Sequence, residues 1–487
     1  SVASLAGADV AFDVTATTGG NAVVTLGSGA DTVDITGTGD MKVTLGAGND
    51  TVSATQATLD AVDSIYGGSG TDTLSIAGTG TTTLTTDANL TGIENITFST
   101  DTHVLNLSGQ TEAFNVTTAN GTNGITVSTV AADTLTGGTG VDTFTINTVD
   151  GHTFLAQATI AGGGNTDVIA LGAATTAIVD ADFAHVTSVE TLSLTGASTI
   201  VLGSVANTAG IATVVTGNDV TSITSTQTAL SVNADLLATT KALTLLGSAN
   251  YTVSGAGGTV FDKITATGST GTLSATFGDA GSNAVTIATG SGNTTIVGGA
   301  AGDTITVTGL ATASQTFTGS VSKFLVTGGA GAQTITTGAA ADTIIGGAGA
   351  DNLTGNGGND YFKYTATSEG GDTITDFTTG ADKIVLAEAA FTLGVAWSGG
   401  HALDVTADAN NYAETSTVLS GVAQDLNGTG AAGGAGIVAV GAGAGSAGVA
   451  VYYTTDIGAA TSSNSTLIAT LTGINTGNIA ATDFLGY

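Results

Sequence analysis

Short runs of alternating apolar and polar residues, broken by glycine, recur along this chain. Between Gly328 and Lys363 the pattern divides without gaps into four nine-residue units: GGAGAQTIT, TGAAADTII, GGAGADNLT and GNGGNDYFK. The eighth position is always apolar (Ile335, Ile344, Leu353, Phe362), and the sixth is Gln333, Asp342, Asp351 and Asp360. The short x-apolar-x stretch predicts a strand with one side chain turned inward, and the glycines permit the tight turn between strands. Two units complete one 18-residue coil, which places Asp342 and Asp360 on the same side. The predicted fold is all-β, a parallel β-roll or β-helix solenoid with Gly/Asp turns and a β-rich C-terminal cap, each coil covering its neighbour.

The same pattern recurs more loosely elsewhere. Ala280 to Thr306 holds three further tandem units, with Asp303 as their acidic sixth position. LGSGADTVD and LGAGNDTVS place Asp31 and Asp50 nineteen residues apart, and Asp133 and Asp142 repeat the nine-residue step. Single matches occur at Asp72 in YGGSGTDTLSI and Asp167 in IAGGGNTDVIAL. Those two are followed, after 22 and 23 residues, by Glu94 and Glu190, each inside a half-buried strand pattern and read as a cap or edge charge. Helical turns are expected only at Leu230–Ala242 and Ala387–Phe391. Four regions follow: a strand-rich 1–130 with Gly/Asp turns, a second solenoid-like 131–279, a β-roll 280–387, and a cap 388–487.

Charge changes the picture. The chain carries 39 acidic residues against six lysines and no arginine, for a formal charge of −33. A chain so charged ordinarily stays unfolded, yet 41% of its residues are hydrophobic. The conflict resolves if the carboxylates bind cations. Glycine turns aim carbonyl oxygens inward and the sixth-position Asp adds a charged oxygen, a donor set that suits calcium. On the order of ten to fifteen such ions would nearly cancel the self-repulsion. Gln333 is a weak ligand beside Asp351, so occupancy is expected to begin unevenly at the upstream edge of the tandem run.

These units resemble the RTX (repeats-in-toxin) calcium-binding nonapeptide of type I secreted proteins. The stretch GGDTITDFTTGADKIVL resembles the flank downstream of such β-rolls, and the resemblance implies that Asp372, Asp376 and Asp382 contribute to the last calcium sites. Ser465–Tyr487 resembles the terminal strands and uncleaved secretion signal of such proteins, which an ABC-type exporter reads. Gly/Asp loops alternating with Thr/Ala-rich strands also look like the RTX-type S-layer proteins of Gram-negative bacteria. Those carry an N-terminal region that anchors them to surface polysaccharide, and nothing before Ala22 resembles it.

Other chemistries find little footing. Without arginine there is no basic surface for nucleic acid, and anionic membranes are disfavoured for the same reason. Ser1 is not followed by a charged segment and an apolar core, so an export signal is expected elsewhere or already removed. No H-E-x-x-H or G-x-S-x-G motif is present, and the four histidines (His103, His152, His185, His401) are far apart in sequence. GAGSAG (Gly443–Gly448) matches a dinucleotide fingerprint only formally, because it lies in a Gly/Ala tract without a following helical pattern. The expected function is therefore non-catalytic: an extracellular, calcium-loaded subunit that associates with itself at the surface of a Gram-negative cell, or else an adhesin or biofilm-matrix protein binding glycans or cells.

Overall fold

In the computed structural model the described residues are 8–99, 102–127, 132–147, 150–172, 177–196, 199–218, 222–237, 242–255, 263–277, 284–298, 304–309, 314–318, 322–391, 424–425, 436–441, 448–454, 465–474, 478–479 and 481–486. They form two units, Ser1–Leu237 and Ala238–Tyr487. Each is built of short parallel strands wound as a β-solenoid.

In the first unit one sheet stacks Ala11–Val14, Thr32–Ile35, Thr51–Thr55, Thr73–Ala77, Asn95–Phe98, Asn115–Thr117, Thr134–Thr136, Thr159–Ala161 and Val186–Thr187 in that order. Register puts Val33, Val52, Leu74, Ile96, Val116, Leu135 and Ile160 in one inward column, all essentially inaccessible. Burying each such side chain is worth about 1.5–3 kcal/mol, so every coil is stabilised mainly by its two neighbours. The alternate residues, such as Thr32, Thr51, Thr73, Asn95 and Asn115, align in an outward row. Coil length varies here because loops and short helices (Gly151–Leu155, Ser204–Ala209) are inserted between strands.

The second unit contains the tandem nonapeptides, and their eighth residues form two columns. Val326, Ile344, Phe362, Ile384 and Phe484 align in one sheet. Ile335, Leu353, Ile374 and Leu471 align in the other. The last residues of both columns come from the C-terminal stretch. Ser465–Thr472 and Phe484–Gly486 pair in parallel with Asp372–Ile374 and Lys383–Leu386, covering both open sheet edges. Gly436–Gly441 and Gly448–Thr454 extend that cap as antiparallel strands, so part of the Gly/Ala tract is strand.

The helix expectation fails in two ways: Gly151–Leu155 and Ser204–Ala209 are helical although no helix is expected there, and an expected helix is partly strand. Leu230–Asn233 lies within the strand Ala229–Asn233, with Leu230 and Val232 buried in strict alternation. The period of two, not the apolar content, decides the element. Glu388–Phe391 is helical as expected.

Candidate metal sites

The sixth-position carboxylates form ladders along the coil edges. In each rung a side-chain oxygen accepts a hydrogen bond from the backbone N–H of the equivalent residue one coil earlier. The first ladder runs from Val10 N–H to Asp31 (2.9 Å), Asp31 to Asp50 (2.7 Å), Asp50 to Asp72 (2.8 Å) and Asp72 to Glu94 (2.7 Å). A second runs from His103 to Asn123, Asn123 to Asp142, Asp142 to Asp167, and Asp167 to Glu190. In the second unit, Phe324 donates to Asp342, Asp342 to Asp360 and Asp360 to Asp382. Facing it, Gln333 donates to Asp351 and Asp351 to Asp372.

The two glutamates thus close their ladders by capping the last aspartate's N–H. Asp133 accepts from the Phe114 N–H. Asp376 accepts from the N–H groups of Gly355 and Asn356 and is only partly buried. Asp303 lies outside the described residues.

A rung satisfies only one oxygen of each carboxylate. The Oδ2 atoms of Asp31, Asp50, Asp72, Asp167, Asp351, Asp360 and Asp372 are buried without a hydrogen-bond partner. A bare charged oxygen in that environment is costly. Burial accordingly pushes the carboxyls of Asp360 and Asp372 up to about 7, and those of Asp351 and Asp167 up to about 6. Asp50 and Asp72 are raised by the same cause.

In the turns of Asp72, Asp167 and Asp360 the first position is glycine, and neighbouring oxygens approach it closely. A Cβ added at Gly67 would lie 2.4 Å from Asp72 Oδ2 and 1.8 Å from the Gly92 carbonyl of the next coil. At Gly162 it would meet Asp167 Oδ2 at 2.5 Å and the Ser188 carbonyl at 1.9 Å, and at Gly355 it would meet Asp360 Oδ2 at 2.4 Å. Carboxylate and carbonyl oxygens therefore crowd together against the turn, an approach that only glycine permits. Among the described residues no group of three or more His, Asp or Glu side chains converges on one point. A cation here would be held by a carboxylate oxygen and backbone carbonyls, a hard oxygen set that fits calcium.

The RTX calcium-binding nonapeptide repeat family matches residues 60–75 and 327–362, in 4 copies. These segments contain Asp72, Asp342, Asp351 and Asp360. No curated protein matches the chain. Repeats of this kind are typical of secreted proteins, and among the described residues no helix is long and apolar enough to cross a membrane. The chain is thus a β-solenoid that carries RTX-type calcium-binding nonapeptide repeats.

Proposed function

We propose that this protein is an exported structural subunit that folds around calcium outside the cell and associates with copies of itself into a surface layer. The observation that carries this reading is the row of buried, half-satisfied carboxylates in a chain of charge −33. In a calcium-poor cytoplasm these oxygens repel one another and keep the chain open for a type I exporter. In an external medium rich in calcium, the ions supply the missing charge and the coils close. Calcium then also bridges acidic protomers that would otherwise repel, and surface polysaccharide is the anchor on a Gram-negative cell. The solenoid needs no catalytic group for this role.

A second reading is an adhesin or biofilm-matrix filament. The outward rows of Thr, Ser and Asn favour it, because their aligned hydroxyls and amides form a flat polar face suited to glycans. Electron microscopy of the purified protein separates the two. Regular two-dimensional arrays in calcium that disperse in EGTA support the layer. Isolated particles in calcium that bind glycans exclude it.

A further inference from the structure

The nonapeptide turns are not alike, and the difference lies in what faces the outer carboxylate oxygen of the sixth residue. In five turns the second and fourth positions are both left-handed. The pairs are Gly46 and Gly48 (φ 116° and 141°), Gly68 and Gly70 (110° and 142°), Gly163 and Asn165 (106° and 76°), Gly347 and Gly349 (92° and 131°), and Asn356 and Gly358 (61° and 127°). Their sixth residues are Asp50, Asp72, Asp167, Asp351 and Asp360. All five are at most 2% exposed, and all five present a partnerless Oδ2.

The turns of Asp142 and Asp342 are built otherwise. Gly138 and Gly140 are not left-handed, and the Gly138 N–H donates to Asp142 Oδ2 at 2.8 Å. Thr118 Oγ1, from the coil before, reaches the same oxygen at 3.4 Å. At Asp342 the Gly338 N–H donates to Oδ2 at 3.2 Å. The first position of that turn is Thr337 rather than glycine. Its hydroxyl lies 3.1 Å from the Gly355 carbonyl of the next coil and also hydrogen-bonds the Asp342 carboxylate. It therefore stands between the two kinds of oxygen, a carbonyl of the next coil and the sixth-position carboxylate, that lie close together in the open turns.

Asn123 gives an independent case. It is the sixth residue of the turn TANGTN (Thr118–Asn123). Its Nδ2 lies 3.0 Å from the Ala119 carbonyl, 2.8 Å from the Gly121 carbonyl and 2.9 Å from Asp142 Oδ1. Three acceptor oxygens thus surround an amide nitrogen: the carbonyls of turn positions two and four and a neighbouring carboxylate.

We infer that the solenoid mixes two classes of turn: calcium-accepting turns at Asp50, Asp72, Asp167, Asp351 and Asp360, and self-sealed turns at Asp142 and Asp342, where the chain's own hydroxyl, amide and N–H groups take the cation's place. Asp31 and Asp372 also have a bare Oδ2 but lie in turns without the left-handed pair, and belong to neither class. The inference rests on the reading that this protein binds calcium. Within it, the backbone at the second and fourth turn positions and the threonine hydroxyl beside the carboxylate (Thr118 or Thr337), rather than the aspartate, decide occupancy. Sealed coils hold their shape without metal, so calcium loss opens the array from the open turns outward.

The test is the number of calcium ions bound per chain, measured by equilibrium dialysis with elemental analysis, alongside far-UV circular dichroism to confirm folding. Asp167→Asn and Asp360→Asn are expected to lower the count by one each, whereas Asp142→Asn and Asp342→Asn keep it unchanged. Thr337→Gly removes the hydroxyl plug and raises the count by one. Equal losses from all four Asp→Asn variants, or no gain in Thr337→Gly, overturn the two-class assignment while leaving calcium binding intact. A wild-type protein that binds no calcium refutes the broader reading instead.

Discussion

Asp342 and Asp351 are nine residues apart in one unbroken repeat. Both are buried, both accept a rung from the coil before, and each is followed by an inward apolar residue, Ile344 or Leu353. Yet Asp351 keeps one oxygen bare, and Asp342 has both satisfied. The units differ where GGAGAD is replaced by TGAAAD, that is, at the first and fourth positions. Period and apolar spacing therefore set the coil and its ladder, while small substitutions in the turn set what the carboxylate faces. The comparison separates the signal for a fold from the signal for a site.

Calcium removal should separate the two turns most strongly. At calcium a hundredfold above Kd each occupied site contributes about 2.7 kcal/mol, so a handful of sites reaches the roughly 5–15 kcal/mol stability of an ordinary domain. EGTA should therefore lower the midpoint of thermal unfolding steeply. Hydrogen exchange in EGTA should rise first at the amides around Asp351 and Asp360 and later around Asp342. Uniform exchange across these turns would contradict the comparison.

The core should not distinguish the turns. Ile344→Ala and Leu353→Ala each empty one place in a buried column, and each should cost about 2–5 kcal/mol in denaturant unfolding with calcium present. A much larger loss at either position would mean that the columns do not carry the fold equally.

Asparagine substitutions come next in size. In saturating calcium, Asp351→Asn should lose about the 2–3 kcal/mol of one ion site, and Asp342→Asn about the 1 kcal/mol of a hydrogen bond. Equal destabilisation would remove the distinction.

The smallest effect is that of pH on the metal-free protein. Asp351 and Asp167 are raised to about 6, and Asp360 and Asp372 to about 7, above the usual value near 3.8. For carboxyls raised on folding, the stability they contribute is full below about pH 4 and is lost as pH climbs through 6 to 7. In EGTA the melting temperature should therefore fall between pH 4 and 7. With calcium the slope should reverse, because protons compete for the same oxygens. A metal-free protein that melts at the same temperature throughout that range would show that these carboxyls are not desolvated.

Much of the fold was legible in the sequence because coil and period coincide. Ile344 with Phe362, and Ile335 with Leu353, align as the 18-residue spacing predicts. The ladders were legible at Asp342 and Asp360 for the same reason. The sealed turns were not, because hydrogen bonding by Thr337 and Gly338 depends on backbone directions that a repeat consensus does not encode. Asn123 is hidden in the sequence because the consensus asks for aspartate, although TANGTN has the turn's spacing. In the first unit the rungs span 19 to 25 residues, so inserted loops and short helices blur the period. Leu230–Asn233 is ambiguous in the sequence because a short apolar run fits either element until its neighbours are known.

Anomalous X-ray diffraction from crystals grown in calcium tests the central claim most directly. The account predicts anomalous peaks beside Oδ2 of Asp167, Asp351 and Asp360, each within calcium–oxygen distance of a turn carbonyl, and none beside Asp342 or Asp142. A peak at Asp342 as strong as that at Asp351, or bare density beside all of the open turns, would contradict it.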